Sequence, residues 1–282
     1  MGENIKAIRA RIKSVDSTRH ITKAMELVAA SKIKKASARM EKSRFYKDVM
    51  LDAFADLSSE ESAYAKTRDR TLPSLFIIVA GDRGLAGGYN NNIFRSSLTM
   101  LRKDDYVIPI GKRAVEYFSH RDGVRVLTDE FSSVETFSSS GAAEAAYLAK
   151  EMYDKGEIKE VNLISTKFVS MLSFRPDITY LLPLESLAKE RGTTSEKTAA
   201  VAEYEPSPEE VLAALIPEYI AGVLYTSVVE SYASELASRR AAMDTATKNA
   251  DEMLDDLSLR YNRARQGAIT QEITEIVAGA NA

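Results

Sequence analysis

The chain has 282 residues, 45% apolar and 28% charged, with no cysteine and a formal net charge of −3. This composition is that of a globular protein long enough for one sizeable domain with material to spare, not of a disordered one. Without cysteine, disulfides, thiolate metal sites and thiol nucleophiles are excluded. No stretch approaches the roughly 18 apolar residues of a membrane span, and the basic N-terminus lacks the apolar core of a signal peptide. The expectation is a protein facing the cytosol and not embedded in a bilayer.

From Glu3 to Thr71 there is neither glycine nor proline, so the first segment reads as one long helix. Its apolar stripe runs through Ile5, Ile8, Ile12, Val15, Ile21, Met25 and Val28, and later Phe54 and Leu57. Residues 1–50 carry 13 Lys or Arg against 5 Asp or Glu. The cluster Lys32, Lys34, Lys35, Arg39, Lys42 and Arg44 fits either an acidic partner surface or a solvated helix face. Around Pro73 the pattern changes to short apolar runs. Leu75–Ala80 reads as a buried strand, followed by a glycine-rich turn and a helix over Asn90–Arg102. Tyr106–Ile110 and Val124–Leu127 read as strands around a helix at Lys112–Ser119, and Ala142–Tyr153 as an amphipathic helix closed by Gly156. Val161–Ser165, Val169–Phe174 and Ile178–Leu182 complete the strands, the last two as a hairpin around Arg175-Pro176-Asp177. Lys189–Thr198 is polar and aperiodic, a loop. Ser207-Pro208-Glu209-Glu210 is a helix-start signal, and Pro217 either kinks that helix or marks the true start of the long one. In the last segment Ala250, Leu254, Leu257, Tyr261, Ala264 and Ala268 step by four and three.

A helix of roughly 55 residues is on the order of 80 Å long, against a diameter of about 35 Å for a globular middle of this size. The terminal helices are therefore expected to project, and each needs an apolar partner to stay helical. The simplest partner for one is the other. The expected fold class is α/β plus long α: an antiparallel two-helix rod on a small α/β base with a mostly parallel sheet. The expected divisions are 1–65 for the N-terminal helix, 72–206 for the α/β domain and 207–282 for the C-terminal helices.

Candidate chemistry is sparse. Gly81-Asp82-Arg83-Gly84-Leu85-Ala86-Gly87-Gly88 sits after a strand and before a helix, where backbone N–H groups can cradle a phosphate. Its spacing fits neither GxGxxG nor GxxxxGK[ST], and strand-to-helix geometry already accounts for the turn. His20 and His120 are far apart with no metal-ligand spacing around them. Asp255 and Asp256 read as an exposed helix face. No cofactor and no metal is expected. Polar residues interrupt the terminal helices instead: Thr18, Thr22 and Lys23 in the first, and Arg265, Gln266, Thr270, Gln271 and Glu272 in the last.

IRARIKSVDSTRHITKAMELVAASKIKKA near the start, GDRGLAGGYNNNIF in the middle and YNRARQGAITQEITEIVAGA at the end resemble the gamma subunit of bacterial F-type ATP synthases. The likeness spans the whole length. It implies an antiparallel coiled coil of both termini with an inserted Rossmann-like α/β domain whose glycine-rich turn is structural. It also implies a non-catalytic central-stalk rotor that couples ion-driven c-ring rotation to conformational changes at catalytic beta subunits. The partners so implied are the alpha and beta subunits, the epsilon subunit and the c ring, with no nucleic acid and no direct membrane insertion, at the cytoplasmic face of the bacterial plasma membrane. Carried over by motif, Lys23 and Met25 fall near the beta lever, and Arg239 and Gln266 match residues that bond a beta loop. Arg265, Thr270 and Glu272 share that tip, Lys32, Lys34 and Lys35 would face an acidic beta loop, and Tyr204 and Glu205 match the foot on the c ring. Departures from the family pattern are His20, Tyr89 and Gly267. A nucleotide-using enzyme with coiled-coil arms, or a basic scaffold for nucleic acid, are the alternatives.

Overall fold

The structure is a computed structural model and describes residues 5–57, 64, 68–171, 173–184 and 205–280. The chain divides into two compact units: Lys32–Ser238, and Met1–Ser31 with Arg239–Ala282. Helices α1 (Ile5–Leu57) and α5 (Pro208–Ala280) contribute to both.

In the larger unit, strands β1 (Leu75–Val79), β2 (Asp105–Ile110), β3 (Val124–Val126), β4 (Val161–Ser170) and β5 (Ser173–Leu182) form a five-stranded sheet in the order β3-β2-β1-β4-β5. β1 to β4 are parallel, and β5 returns antiparallel to β4. Helices α2 (Tyr89–Met100), α3 (Lys112–Phe118) and α4 (Ser139–Asp154) make the crossovers. A strand covered on both faces must be apolar throughout, and β1 is: every one of its five residues is buried. Leu75, Ile77 and Val79 join Ala145, Ala149 and Tyr153 of α4 and Leu212, Ile216, Tyr219 and Ile220 of α5 in one core layer. Phe76 and Ile78 face Ile93 of α2 and Ala114 and Phe118 of α3 in the other.

The helix boundaries follow local chemistry. Ser138 Oγ accepts from Gly141 N at 3.2 Å and starts α4, three residues before the periodicity of the alanines suggests. Gly156, at φ +72°, closes it in the left-handed region that favours glycine. Ser207 Oγ accepts from Glu210 N and donates to the Glu210 carboxylate, both at 3.3 Å, a reciprocal cap that sets the start of α5 at Pro208. Pro217 therefore lies inside α5 rather than at its start.

Two expectations need correction here. The Arg175-Pro176-Asp177 segment is not a turn. It lies within β5 opposite Lys167, Thr166 and Ser165, and the chain reverses between Ser170 and Ser173. β5 is an edge strand, where proline is tolerated because half of the backbone N–H groups need no partner strand. Secondly, one 18-residue window of α5 reaches a mean hydropathy of 1.6, apolar enough to cross a membrane, but 67% of it is buried inside the protein. Its apolarity belongs to a core helix, because residues 212–224 close one side of the sheet. The Lys189–Thr198 loop lies outside the described residues.

In the smaller unit, α1 and α5 run antiparallel: Thr22 meets Thr247 and, one turn back in α1, Arg19 meets Asp251, one turn on in α5. Ile8, Val15, Thr22 and Ala29 are buried and recur every seven residues, and α5 answers with Met243, Thr247 and Ala250 buried and Leu254, Leu257, Tyr261 and Ala264 half-buried. The expected stripe is out of phase beyond Val15. Ile21 is 60% exposed and Val28 57%, while their neighbours Thr22 and Ala29 face the partner helix. Thr22 and Ala29 take the row because they continue the seven-residue step from Ile8 and Val15, the period of a two-helix seam, which Ile21 and Val28 miss by one residue. Ala268, expected in the α5 seam, is exposed.

Candidate functional site

The glycine-rich turn between β1 and α2 is built against phosphate binding. Asp82 turns its carboxylate onto the segment after β3, accepting from Val134 N at 2.8 Å and Ser133 Oγ at 3.0 Å. Glu235 of α5, 2% exposed, lies under Gly81 so closely that a Cβ there would sit 2.7 Å from its carboxyl carbon. Two carboxylates at the turn repel an anion where a phosphate site needs free N–H groups, and Gly81 N is already spent on Asn90 Oδ1 at 2.8 Å. The glycine is required by close packing against a helix, not by a ligand. Tyr89, buried at the start of α2, donates to Ser231 O at 3.0 Å, and burial first, then the nearby Glu235 charge, pushes its phenol well up. Among the described residues, no group of three or more His, Asp or Glu could hold a metal ion. His20 stands 3.7 Å from Asp16 on an exposed face of α1.

The residues singled out for partner contact lie in separate places. Lys23 is exposed and pairs with Glu26 at 2.9 Å, and Met25 is half-buried two residues on. Arg239 is half-buried, and Arg265, Gln266, Thr270 and Glu272 are all exposed on α5. Of the basic cluster, Lys34 and Lys35 are exposed, but Lys32 reaches Glu135 Oε1 at 2.5 Å. Arg39 donates to Tyr225 Oη and to Phe137 O, both at 2.9 Å, and Arg44 to Phe168 O at 2.9 Å and Glu230 Oε1 at 2.5 Å. So part of the positive run stitches α1 to its own domain, and its outward charge is smaller than the sequence suggests. Glu205 is exposed, and Tyr204 lies outside the described residues.

From Arg265 to Gly279 every residue of α5 is exposed. Ile269, Ile273, Ile276 and Val277 recur at helical spacing along it and are 47% to 68% exposed. A helix keeps such a stripe only when something covers it. Sequence reasoning missed a second feature, Ser227, Ser231, Ser234 and Ser238, which recur by four and three along α5 and are all buried. Their spacing is legible in the sequence, but serine carries no apolar signal that would mark a buried face.

The chain matches the ATP synthase family model over residues 4–282. It is 41% identical over 289 residues to the ATP synthase gamma chain of Alkaliphilus metalliredigens and 40% over 293 residues to that of Ruminiclostridium cellulolyticum, covering 100% of this chain and 99% of each relative. It is 37% identical to the gamma chain of Acetobacterium woodii, which is described as sodium ion specific, over 100% of this chain and 99% of the relative. Among solved structures, a chain of the Euglena gracilis mitochondrial ATP synthase superposes with a TM-score of 0.66 at 17% identity, covering 98% of this chain and 93% of that one. A central-stalk chain of the Tetrahymena thermophila enzyme gives 0.57 at 23% identity, covering 80% and 99%. The paired terminal helices, the inserted sheet and these full-length likenesses agree: the chain belongs to the ATP synthase gamma chain family.

Proposed function

We propose that this chain is the central-stalk rotor of an F-type ATP synthase, a non-catalytic subunit that couples c-ring rotation to conformational changes at catalytic beta subunits. The observation that carries this reading is the bare end of α5, a helix whose apolar stripe is left uncovered by the described residues of its own chain. A sleeve of alpha and beta subunits around that end would bury the stripe. A smooth apolar tip turning inside such a sleeve drives a change only by contacting the beta conformations unequally. Arg265, Gln266, Thr270 and Glu272 supply that inequality beside the stripe, with Lys23, Met25 and Arg239 further along the two helices. Lys34 and Lys35 offer exposed charge to an acidic beta loop, with Lys32 contributing once it leaves Glu135. Tyr204 and Glu205 belong to the foot on the c ring, together with the epsilon subunit, at the cytoplasmic face of the plasma membrane. The protein is peripheral, binds no cofactor and no nucleic acid, and serves ATP synthesis or hydrolysis according to the direction of rotation.

Purification of the complex through an affinity tag on this chain tests the assignment first: alpha, beta and epsilon subunits must co-elute. In that complex Arg239→Ala and Gln266→Ala are each expected to lower coupled ATP turnover while leaving the fold of the chain intact. Full coupling in both variants would remove these two residues from the contact surface.

A further inference from the structure

Between Val229 and Ser238, α5 is held from two sides by different chemistry. Val229, Ala233, Leu236 and Ala237 pack on Ile33, Ala36 and Met40 of α1 in an apolar seam. At about 100° per residue, Ser231, Glu235 and Ser238 point to roughly the opposite side, and there the α/β domain takes hold through hydrogen bonds. Ser231 Oγ accepts from Thr166 N at 3.0 Å, and Ser231 O accepts from Tyr89 Oη at 3.0 Å. Ser238 Oγ donates to Ala86 O at 2.7 Å, and Glu235 fills the space under Gly81. At one edge Glu230 Oε1 accepts from Phe168 N at 2.8 Å and from Arg44 at 2.5 Å, so one carboxylate ties β4, α5 and α1 together.

The backbone explains why these bonds exist. β4 pairs with β1 only as far as Ile164. Beyond that point its inner edge has lost its neighbouring strand, and Ser231 and Glu230 take the N–H groups of Thr166 and Phe168 in place of one. Ser231 and Ser238 are 0% and 5% exposed, so leaving either partner unpaired would strand a buried polar group.

We infer that this polar collar is the torque-bearing joint of the rotor, with Ser231, Ser238 and Glu230 as its positioning residues. The inference rests on the rotor reading above. The hydrophobic effect is non-directional and sets no particular angle of α5, whereas a hydrogen bond weakens steeply with distance and angle. Turning α5 by about 20° would carry a side-chain atom about 5 Å from the helix axis through about 2 Å, enough to break each of these bonds. The apolar seam with α1 would survive the same turn by sliding. Load applied to the α/β domain therefore reaches α5 through the collar as well as through the apolar packing of residues 212–224, and the collar is the part that fixes the angle of the helix.

The test uses the assembled complex in sealed vesicles, with Ser231→Ala and Ser238→Ala combined in this chain and Ser238→Ala alone as the milder variant. Losing both hydroxyls is expected to raise the slipped population by about 30-fold. ATP-driven ion pumping should then fall several-fold further than ATP hydrolysis, and the torsional stiffness between α/β domain and shaft should drop in single-molecule rotation. Subunit stoichiometry, expected unchanged, separates slip from misassembly, and thermal melting should fall by only the several degrees that two lost buried bonds imply. Hydrolysis and pumping that stay equal to the parent, or fall in the same ratio with stiffness retained, would overturn the joint. If the double variant does not assemble, the single variant decides by the same two readouts. Failure of the rotor reading looks different: the unaltered complex itself would then lack coupled pumping.

Discussion

Replacing Thr22 and Thr247 by valine, singly and together, tests whether a polar pair sets the register of the two terminal helices. Thr247 Oγ1 lies 2.8 Å from Thr22 Oγ1, and both residues are 8% exposed in an otherwise apolar seam. Neither single change orphans the remaining hydroxyl, because Thr22 also reaches Arg19 O at 3.0 Å and Thr247 also reaches Met243 O at 2.8 Å. Each single variant should therefore lose only the net value of the shared bond, about 1 kcal/mol. The double variant loses that bond once and places two methyl groups in the seam, so it should lie near the parent and well above the sum of the singles. The coupling energy expected from the cycle is about 1 kcal/mol, larger than the roughly 0.3–0.5 kcal/mol within which independent sites add. Hydrogen exchange of the amides of residues 5–31 in the full chain measures it locally, without requiring both units to unfold together. Strict additivity would refute the claim that the two hydroxyls meet. The double variant should also lose register specificity, because cross-helix charge contacts such as Arg19 to Asp251 at 3.4 Å are exposed and worth at most about 1 kcal/mol each. A cysteine pair placed across the seam one heptad out of register should cross-link more readily in the double variant than in the parent.

Gly111 has φ +92° and ψ 146°, and a Cβ there would lie 2.1 Å from Ala80 O. Gly111→Ala should cost more than about 3 kcal/mol, since the backbone region alone accounts for about 1–3, and appear as a large fall in melting temperature or loss of soluble chain; a melt within a few degrees of the parent would contradict this. Glu135 is held below the usual carboxylate range first by the hydrogen bond from Lys32. Its folded pKa is thus lower than its unfolded one, so its contribution is present above the unfolded value and lost as pH falls through the folded value. Glu135→Gln should remove a small acid-side slope in stability, under about 1 kcal/mol because the pair is half exposed, and free Lys32 for a partner. Finally, Ile273→Ser with Ile276→Ser should leave the melting of the isolated chain unchanged, since both side chains are already exposed, but weaken its capture by a preformed ring of alpha and beta subunits. Unchanged capture would mean that the α5 stripe is not what the ring holds.

The chain's own residues sufficed for much of the architecture. A run free of glycine and proline marked α1, the four-and-three spacing of Leu254, Leu257 and Tyr261 marked the seam of α5, and short apolar runs such as Leu75–Ala80 and Tyr106–Ile110 alternating with helices marked a mostly parallel sheet with helical crossovers. These signals are local, because helix and strand periods express which face of an element must leave water. Pairing is not local, and there the sequence was silent or misleading. Ile21 and Val28 looked like the continuation of a stripe, but the seam's seven-residue step buries Thr22 and Ala29 instead. The proline at 176 looked like a turn, but its place on an edge strand allowed it to extend. Ser231, Glu235 and Ser238 gave no signal, because a buried hydrogen bond depends on an acceptor or donor that arrives from far along the chain. Local composition determined the elements; only the tertiary structure decided which of their polar atoms would be enclosed, and with whom.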